Sequence, residues 1–146
     1  MYHHQETRQT PYSQDQLFDL VKDIEKYPEF LPWCRALRIK SRKDGIIYAD
    51  LQIGFKLYTE HFVTIVNCNP DLYEIDVQYI DGPFKSLNSK WKFKPRNDGM
   101  AGCIVDFSID FEFKNALLDR LLGYVFNEAI AKMIHAFETR AAKIYA

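Results

Sequence analysis

Over most of the chain, apolar and polar residues alternate one by one. Leu37 and Ile39 alternate with Arg38 and Lys40. Ile47, Ala49, Leu51, Ile53 and Phe55 share one face against Tyr48, Asp50 and Gln52, and Phe62, Thr64 and Val66 continue the pattern. Tyr73, Ile75, Val77 and Tyr79 give the next apolar face, followed by Leu87, Ser89, Trp91 and Phe93 against Asn88, Lys90, Lys92 and Lys94. The clearest run sets Val105, Phe107, Ile109, Phe111 and Phe113 against Asp106, Ser108, Asp110 and Glu112. A period of two marks strands with one buried face. Turn signals divide the runs at Lys43-Asp44-Gly45, Asn69-Pro70-Asp71, Asp81-Gly82-Pro83 and Asn97-Asp98-Gly99. These runs predict an antiparallel meander of six strands with one wet face, and the weak alternation of Tyr2 to Thr10 offers a seventh at an edge.

Two segments follow helical spacing instead. Ser13 stands as N-cap before Leu17, Phe18, Leu20, Val21 and Ile24, with Asp15 in the first turn, which predicts a helix ending near Tyr27-Pro28. The next stretch, to Cys34, holds Pro28 and Pro32, so a short helical turn with a rigid exit is expected. At the other end one helix is predicted from an Asn115 N-cap to about Lys143. Its broad apolar stripe is Leu118, Leu121, Leu122, Val125, Phe126, Ala129, Ile130, Met133 and Phe137. Arg120, Asn127, Glu128, Lys132, His135 and Glu138 face away from it, and Gly123 is its weak point, costing about 1 kcal/mol relative to Ala.

Strands spaced about 4.8 Å apart make a sheet roughly 30 Å across, whereas a helix is only about 10 to 12 Å wide. The sheet must curl around the helix to cover its own aromatic face. The fold class expected is α+β, a curved antiparallel sheet of six to seven strands gripping a long C-terminal helix, in one domain over 1–146. A bowl this wide, plugged by one helix, is expected to keep an apolar space inside.

Composition narrows the function classes. The chain has 146 residues, 47% apolar and 27% charged, as expected of a globular protein. Nineteen basic against 20 acidic residues leave a net charge of −1, so no global field draws in nucleic acid, and DNA is not an expected partner. The longest apolar runs are far shorter than the roughly 20 residues of a membrane span, and the start, MYHHQETR, has no signal-like stretch. A cytoplasmic protein is expected, with transient contact at the inner membrane face. Cys34, Cys68 and Cys103 are odd in number and form no CxxC, so reduced thiols are expected rather than a disulfide framework or a zinc site.

Eleven Phe and nine Tyr demand either a bulky core or a surface for a greasy partner. Phe55, Phe62, Trp91, Phe107, Phe111, Phe126 and Phe137 fit both readings. Phe30, Leu31 and Trp33 gather three large apolar groups on one turn, either a site lip or a lid over the core. Lys85, Lys90, Lys92, Lys94 and Arg96 form a basic series that suits RNA phosphates. Neighbouring strands offer Glu74, Asp76, Asp106, Asp110 and Glu112, so cross-strand charge pairing is the simpler account. His61 and His135 read as structural or surface residues, and there is no Walker loop, nucleophile elbow, HExxH or GxGxxG. No metal and no catalytic residue is assigned.

The segments Tyr27-Pro-Glu-Phe-Leu-Pro-Trp-Cys34, Ala49-Asp-Leu-Gln-Ile-Gly-Phe55, Asp81-Gly-Pro-Phe84, Trp91-Lys-Phe93, Val105-Asp-Phe107 and Asp110-Phe-Glu-Phe113 lie in one order across nearly the whole chain. Together they resemble the coenzyme Q-binding START-domain family, also described as polyketide cyclase/dehydrase-like. The resemblance implies the helix-grip fold shared with START and Bet v1-like proteins, a hydrophobic tunnel, and ubiquinone or a related polyprenyl lipid as ligand. By motif position it places Phe30, Leu31 and Trp33 at the tunnel entrance and Phe55, Trp91 and Phe107 on the sheet wall. Spacing alone adds Phe62 to that wall and Leu122, Phe126 and Ile130 to the helix wall. Function in the family divides. One branch carries quinone in support of respiration; another binds the large ribosomal subunit, as a toxin that blocks subunit association. An aromatase or cyclase is a third reading and requires polar groups in the tunnel. Non-catalytic binding, with ubiquinone as bound ligand rather than cofactor and with peripheral membrane contact, is the expectation carried forward.

Overall fold

A computed structural model describes residues 1–55 and 58–145, with Phe55 and Tyr58 described by their backbone alone. Among them, β1 (Tyr2–Thr10), β2 (Cys34–Lys43), β3 (Ile46–Phe55), β4 (Tyr58–Asn69), β5 (Glu74–Asp81), β6 (Phe84–Pro95) and β7 (Cys103–Phe113) form one antiparallel sheet, ordered β1-β7-β6-β5-β4-β3-β2. The predicted meander is present, and the opening segment joins it as an edge strand. It pairs residue for residue with β7, from Tyr2 opposite Phe111 to Thr10 opposite Cys103. Register shifts at Cys34/Ala36, Ile39/Ser41, Val63/Thr64 and Phe84/Ser86 bend the strands and give the sheet its curvature.

The turns follow their chemistry. Asp44 and Gly45 both take positive φ, 52° and 80°, as a two-residue hairpin turn requires. Tyr73 was expected within a strand, but it also has positive φ, 52°, and still belongs to the turn before β5. Its hydroxyl donates to Asp15 Oδ1 at 2.8 Å, tying that turn to the first helix.

That helix, α1 (Gln14–Lys22), begins with a capping box: Ser13 Oγ accepts the Gln16 N–H, and Gln16 Oε1 accepts the Ser13 N–H, each at 3.0 Å. It ends earlier than predicted, and a 3₁₀ segment, Ile24–Glu29, carries Pro28 to the Tyr27-to-Cys34 exit. The single C-terminal helix predicted is instead two, α2 (Ala116–Ala131) and α3 (Met133–Ile144). Between them the Lys132 N–H is shared by the carbonyls of Glu128 and Ala129, both at 3.2 Å, which interrupts the helix without changing its phase. Leu122, Phe126 and Ile130 therefore stay in line with Met133, Ile134, Phe137 and Ala141, all buried. Asn115 caps α2 as predicted, accepting the Leu118 N–H at 2.9 Å.

The apolar stripe was read too broadly. Leu121 is 53% exposed and Val125 lies at the surface, because each precedes a buried residue by one position, about 100° around the helix. With Leu117 and Tyr124 they make an outward apolar face on α2. Gly123 has a packing role: a Cβ there would stand 2.2 Å from Tyr2 Oη, and the Tyr2 ring stacks on Phe111 at 4.9 Å. The missing side chain lets α2 close on β1.

Candidate functional site

The aromatic residues divide between solid packing and an open lining. In the second half of α2, Phe126 meets Phe84, Phe111 and Phe113 at centroid distances of 5.3, 5.0 and 6.2 Å. Phe111, which fits core and lining alike by sequence, belongs to this closed cluster and is fully buried. Under α1, Phe18 packs edge-on against Tyr73 and Phe93.

Between these clusters lies a cavity of about 80 Å³. Its sheet wall is Leu51 of β3, Phe62, Thr64 and Val66 of β4, Ile75 and Val77 of β5, Leu87, Ser89 and Trp91 of β6, and Phe107 and Ile109 of β7. Phe126, Ile130, Met133 and Phe137 close it from the helices, and Ile24, Tyr27, Trp33 and Leu37 line its remaining side. Residues of alternating strand and helix periods converge on it because each period sends one face inward.

Of the residues picked from sequence, Trp33, Phe62, Trp91, Phe107, Phe126 and Ile130 meet on this wall. Phe30, Leu31 and Leu122 do not. The Leu31 N–H bonds the Tyr27 carbonyl at 2.9 Å, and this closed turn buries Leu31 in the core instead of at a lip. Phe30 packs edge-on against Tyr27 and Phe137, at 5.9 and 5.2 Å, beneath the Arg140 guanidinium. Leu122 lies one turn before Phe126, buried but outside the cavity lining. The Phe55 side chain lies outside the described residues. Sequence reasoning missed the aliphatic floor of Leu51, Val66, Ile75 and Val77, and passed over Thr64 as an ordinary strand residue. Its inward position between Phe62 and Val66 was the available signal.

Tyr27, Trp33, Thr64 and Ser89 bring the polar atoms of the lining. Tyr27 is the only lining residue, among those described, with a titratable side chain. Its hydroxyl donates to the Val21 carbonyl, and burial holds its pKa well above the ordinary tyrosine value. A wall of this kind can enclose an apolar molecule and orient it through few polar points.

Trp33 also lines a surface groove with Pro32, Arg35, Gly54, Val125, Glu128, Ala129 and Lys132, so it stands between the cavity and the outside.

On the opposite face of the sheet, four members of the basic series, Lys90, Lys92, Lys94 and Arg96, are paired. Lys90 Nζ lies 3.2 Å from Glu74 and 3.8 Å from Asp76, Lys92 lies 3.6 Å from Glu74, and Lys94 lies 2.6 Å from Asp106. Arg96 pairs with Asp98. A different basic element lies on edge strand β2, which exposes Arg35, Arg38, Lys40, Arg42 and Lys43 and contains no acid of its own, although Arg42 pairs with Glu25 at 3.0 Å. The composition CRALRIKSRK already carried that signal. His61 is exposed, 3.5 Å from Asp50, and His135 borders a surface groove beside Glu138.

Comparison with known proteins agrees with this geometry. Residues 10–138 match the family described as "Polyketide cyclase / dehydrase and lipid transport". The "Ribosome association toxin RatA" of Rickettsia prowazekii is 41% identical, covering 96% of each chain. The "Coenzyme Q-binding protein COQ10 homolog B, mitochondrial" of Xenopus laevis is 34% identical, over 96% of this chain and 58% of that protein. The solution structure of an 18 kDa protein from Caulobacter crescentus is 41% identical and superimposes with a TM-score of 0.77, covering 99% of each. An apolar cavity between a bowed seven-stranded sheet and its C-terminal helices, in a chain with these relatives, places this protein in the polyketide cyclase / dehydrase and lipid transport family.

Proposed function

We propose that the protein binds a hydrophobic ligand without transforming it, and that the ligand is ubiquinone or a related polyprenyl lipid held as by a carrier. The observation that carries this reading is the cavity itself: about 80 Å³ walled almost wholly by hydrocarbon. A largely polar guest finds few partners there, whereas each buried isoprene unit contributes roughly 3 to 4 kcal/mol. Two or three units offset much of an association cost of about 4 to 15 kcal/mol. A chain of that length exceeds 80 Å³, so the tail lies along the groove past Trp33 or the helices move outward to admit it. Cyclase chemistry would need an acid or base at the guest, and Tyr27, whose hydroxyl is already engaged, is a poor one.

A carrier exchanges its guest with a membrane. Leu117, Leu121, Tyr124 and Val125 give α2 an outward apolar face for that contact. No helix among the described residues is long and apolar enough to cross a membrane. The three free thiols, all buried, fit a reducing compartment such as the cytoplasm. Mass spectrometry of solvent extracts from the purified protein tests the reading. A near-stoichiometric polyprenyl quinone is expected; extracts free of lipid, together with unquenched Trp33 and Trp91 fluorescence on adding quinone, would refute it.

The likeness to RatA favours a second reading, attachment to the large ribosomal subunit. With Lys90, Lys92 and Lys94 already paired, the acid-free β2 edge is the better phosphate-facing surface. Salt-sensitive co-sedimentation with large subunits should be lost in a triple variant Arg38→Glu, Lys40→Glu, Lys43→Glu and kept when Lys90, Lys92 and Lys94 are reversed. Equal sedimentation by the β2 variant and the unaltered protein removes this surface.

A further inference from the structure

Two polar groups in the cavity lack a partner. Trp33 is 7% exposed and Thr64 is 1% exposed, and neither Nε1 of Trp33 nor Oγ1 of Thr64 has a hydrogen-bond partner among the described residues. Both residues line the cavity. A buried donor left unmade carries its full desolvation penalty, and ordinary substitutions would remove it. Val fills the shape of Thr64 on a strand, and Phe keeps a ring at 33. Tyr27, which also lines the cavity, shows the usual solution, a bond to a backbone carbonyl.

We propose that Trp33 and Thr64 form a polar subsite within the apolar cavity, which receives hydrogen-bond acceptor oxygens, carbonyl or ether, at the head end of an otherwise hydrocarbon guest. This deepens the ligand-binding reading above and rests on it. The indole N–H can only donate, so its partner must be an acceptor; the Thr64 hydroxyl donates to the same class.

The two groups lie on different walls. Thr64 sits on the sheet floor in register with Ala49 on one side and Tyr79 on the other. Trp33 stands at the border with the outer groove, its ring 6.3 Å from that of Phe126. A flat ring bearing oxygens on opposite edges can address two walls at once; at about 80 Å³ the cavity is smaller than the roughly 150 Å³ that admits a benzene ring, so the ring is seated as the helices move outward. The subsite therefore selects a head group, while the hydrocarbon wall supplies affinity for the tail.

The test is calorimetric titration of a short-tailed alkyl benzoquinone, and of the alkylbenzene with the same tail, into the protein and its Thr64→Val and Trp33→Phe variants. The quinone should bind the unaltered protein about tenfold more tightly than the alkylbenzene. Each variant should lose about three- to tenfold for the quinone and less than about twofold for the alkylbenzene. Thr64→Val should also melt at a higher temperature than the unaltered protein without ligand, since it removes an unsatisfied hydroxyl. The infrared carbonyl stretch of bound quinone should move back toward its free position in the double variant. If both compounds bind equally and neither variant changes their ratio, the polar subsite is wrong while the apolar guest stands. If neither compound binds, both fall.

Discussion

The indole of Trp91 on β6 meets the ring of Phe137 on α3 nearly edge-on, with centroids 5.0 Å apart and an interplanar angle of 73°. This contact brings sheet and helix together at one end of the cavity, and Trp33, in the turn before β2, meets Phe126 eleven positions earlier on the helix, roughly 16 Å away at 1.5 Å per residue. Phe137 also packs against Tyr27 at 5.4 Å, so its ring ties three elements. Phe137→Ala should lower stability by about 3 to 5 kcal/mol, read as a shift in urea midpoint at unchanged slope.

Gly102 precedes β7 with φ of +120°, and a Cβ there would fall 1.9 Å from the Thr10 carbonyl oxygen. The clash is with backbone, which cannot swing aside, at the end of the β1–β7 ladder. Gly102→Ala is expected to cost at least about 2 kcal/mol and to raise amide exchange across Gln9 and Thr10 first. An unchanged melting temperature would contradict this.

Nearby, Arg96 holds the loop before β7. It bonds the Asp98 carboxylate, the Thr10 carbonyl at 3.2 Å and Gln9 Oε1 at 3.3 Å. The guanidinium, and then the Met100 N–H, hold the Asp98 pKa down at about 2. A depressed carboxyl favours folding above its unfolded value, and that contribution disappears as pH falls from about 4 to about 2. Asp98→Asn should flatten this limb of the stability curve, and an NMR titration of Asp98 should give its midpoint near the lower limit. A midpoint near 4 would show that the Arg96 pair does not persist in solution.

Burial pushes the Cys34 thiol up to about 12 and raises those of Cys68 and Cys103. Since the thiolate is the reactive form, all three should resist a disulfide reagent at pH 8 in the folded protein and react together on unfolding. Rapid labelling of any one in native buffer would show that its segment opens.

The sequence revealed the periods but not how wide each contact would be. Alternation from Leu37 to Phe113 sufficed for the meander, because a strand face is set by parity alone. Leu121 and Val125 lie about 140° and 100° around the helix from Phe126, against about 40° for Leu122, and a stripe drawn broad enough to include them exceeds the width that the sheet covers. Motif position and the gathering of three large apolar groups on one turn place Phe30 and Leu31 at a lip, whereas a bond from Leu31 to Tyr27 folds that turn inward. Thr64 was visible as an inward strand position. That its hydroxyl lacks a partner depends on neighbours from other strands and on Trp33, which spacing along the chain does not reveal.

Whether a guest enters between sheet and helix is tested most directly by methyl NMR during titration with a short-tailed benzoquinone. Saturable shifts at the methyl groups of Val66, Ile75, Val77 and Ile130, with those of outward Leu117 and Leu121 little changed, are the result this account predicts. Shifts confined to Leu117 and Leu121, with the four interior residues unmoved at saturation, would contradict it.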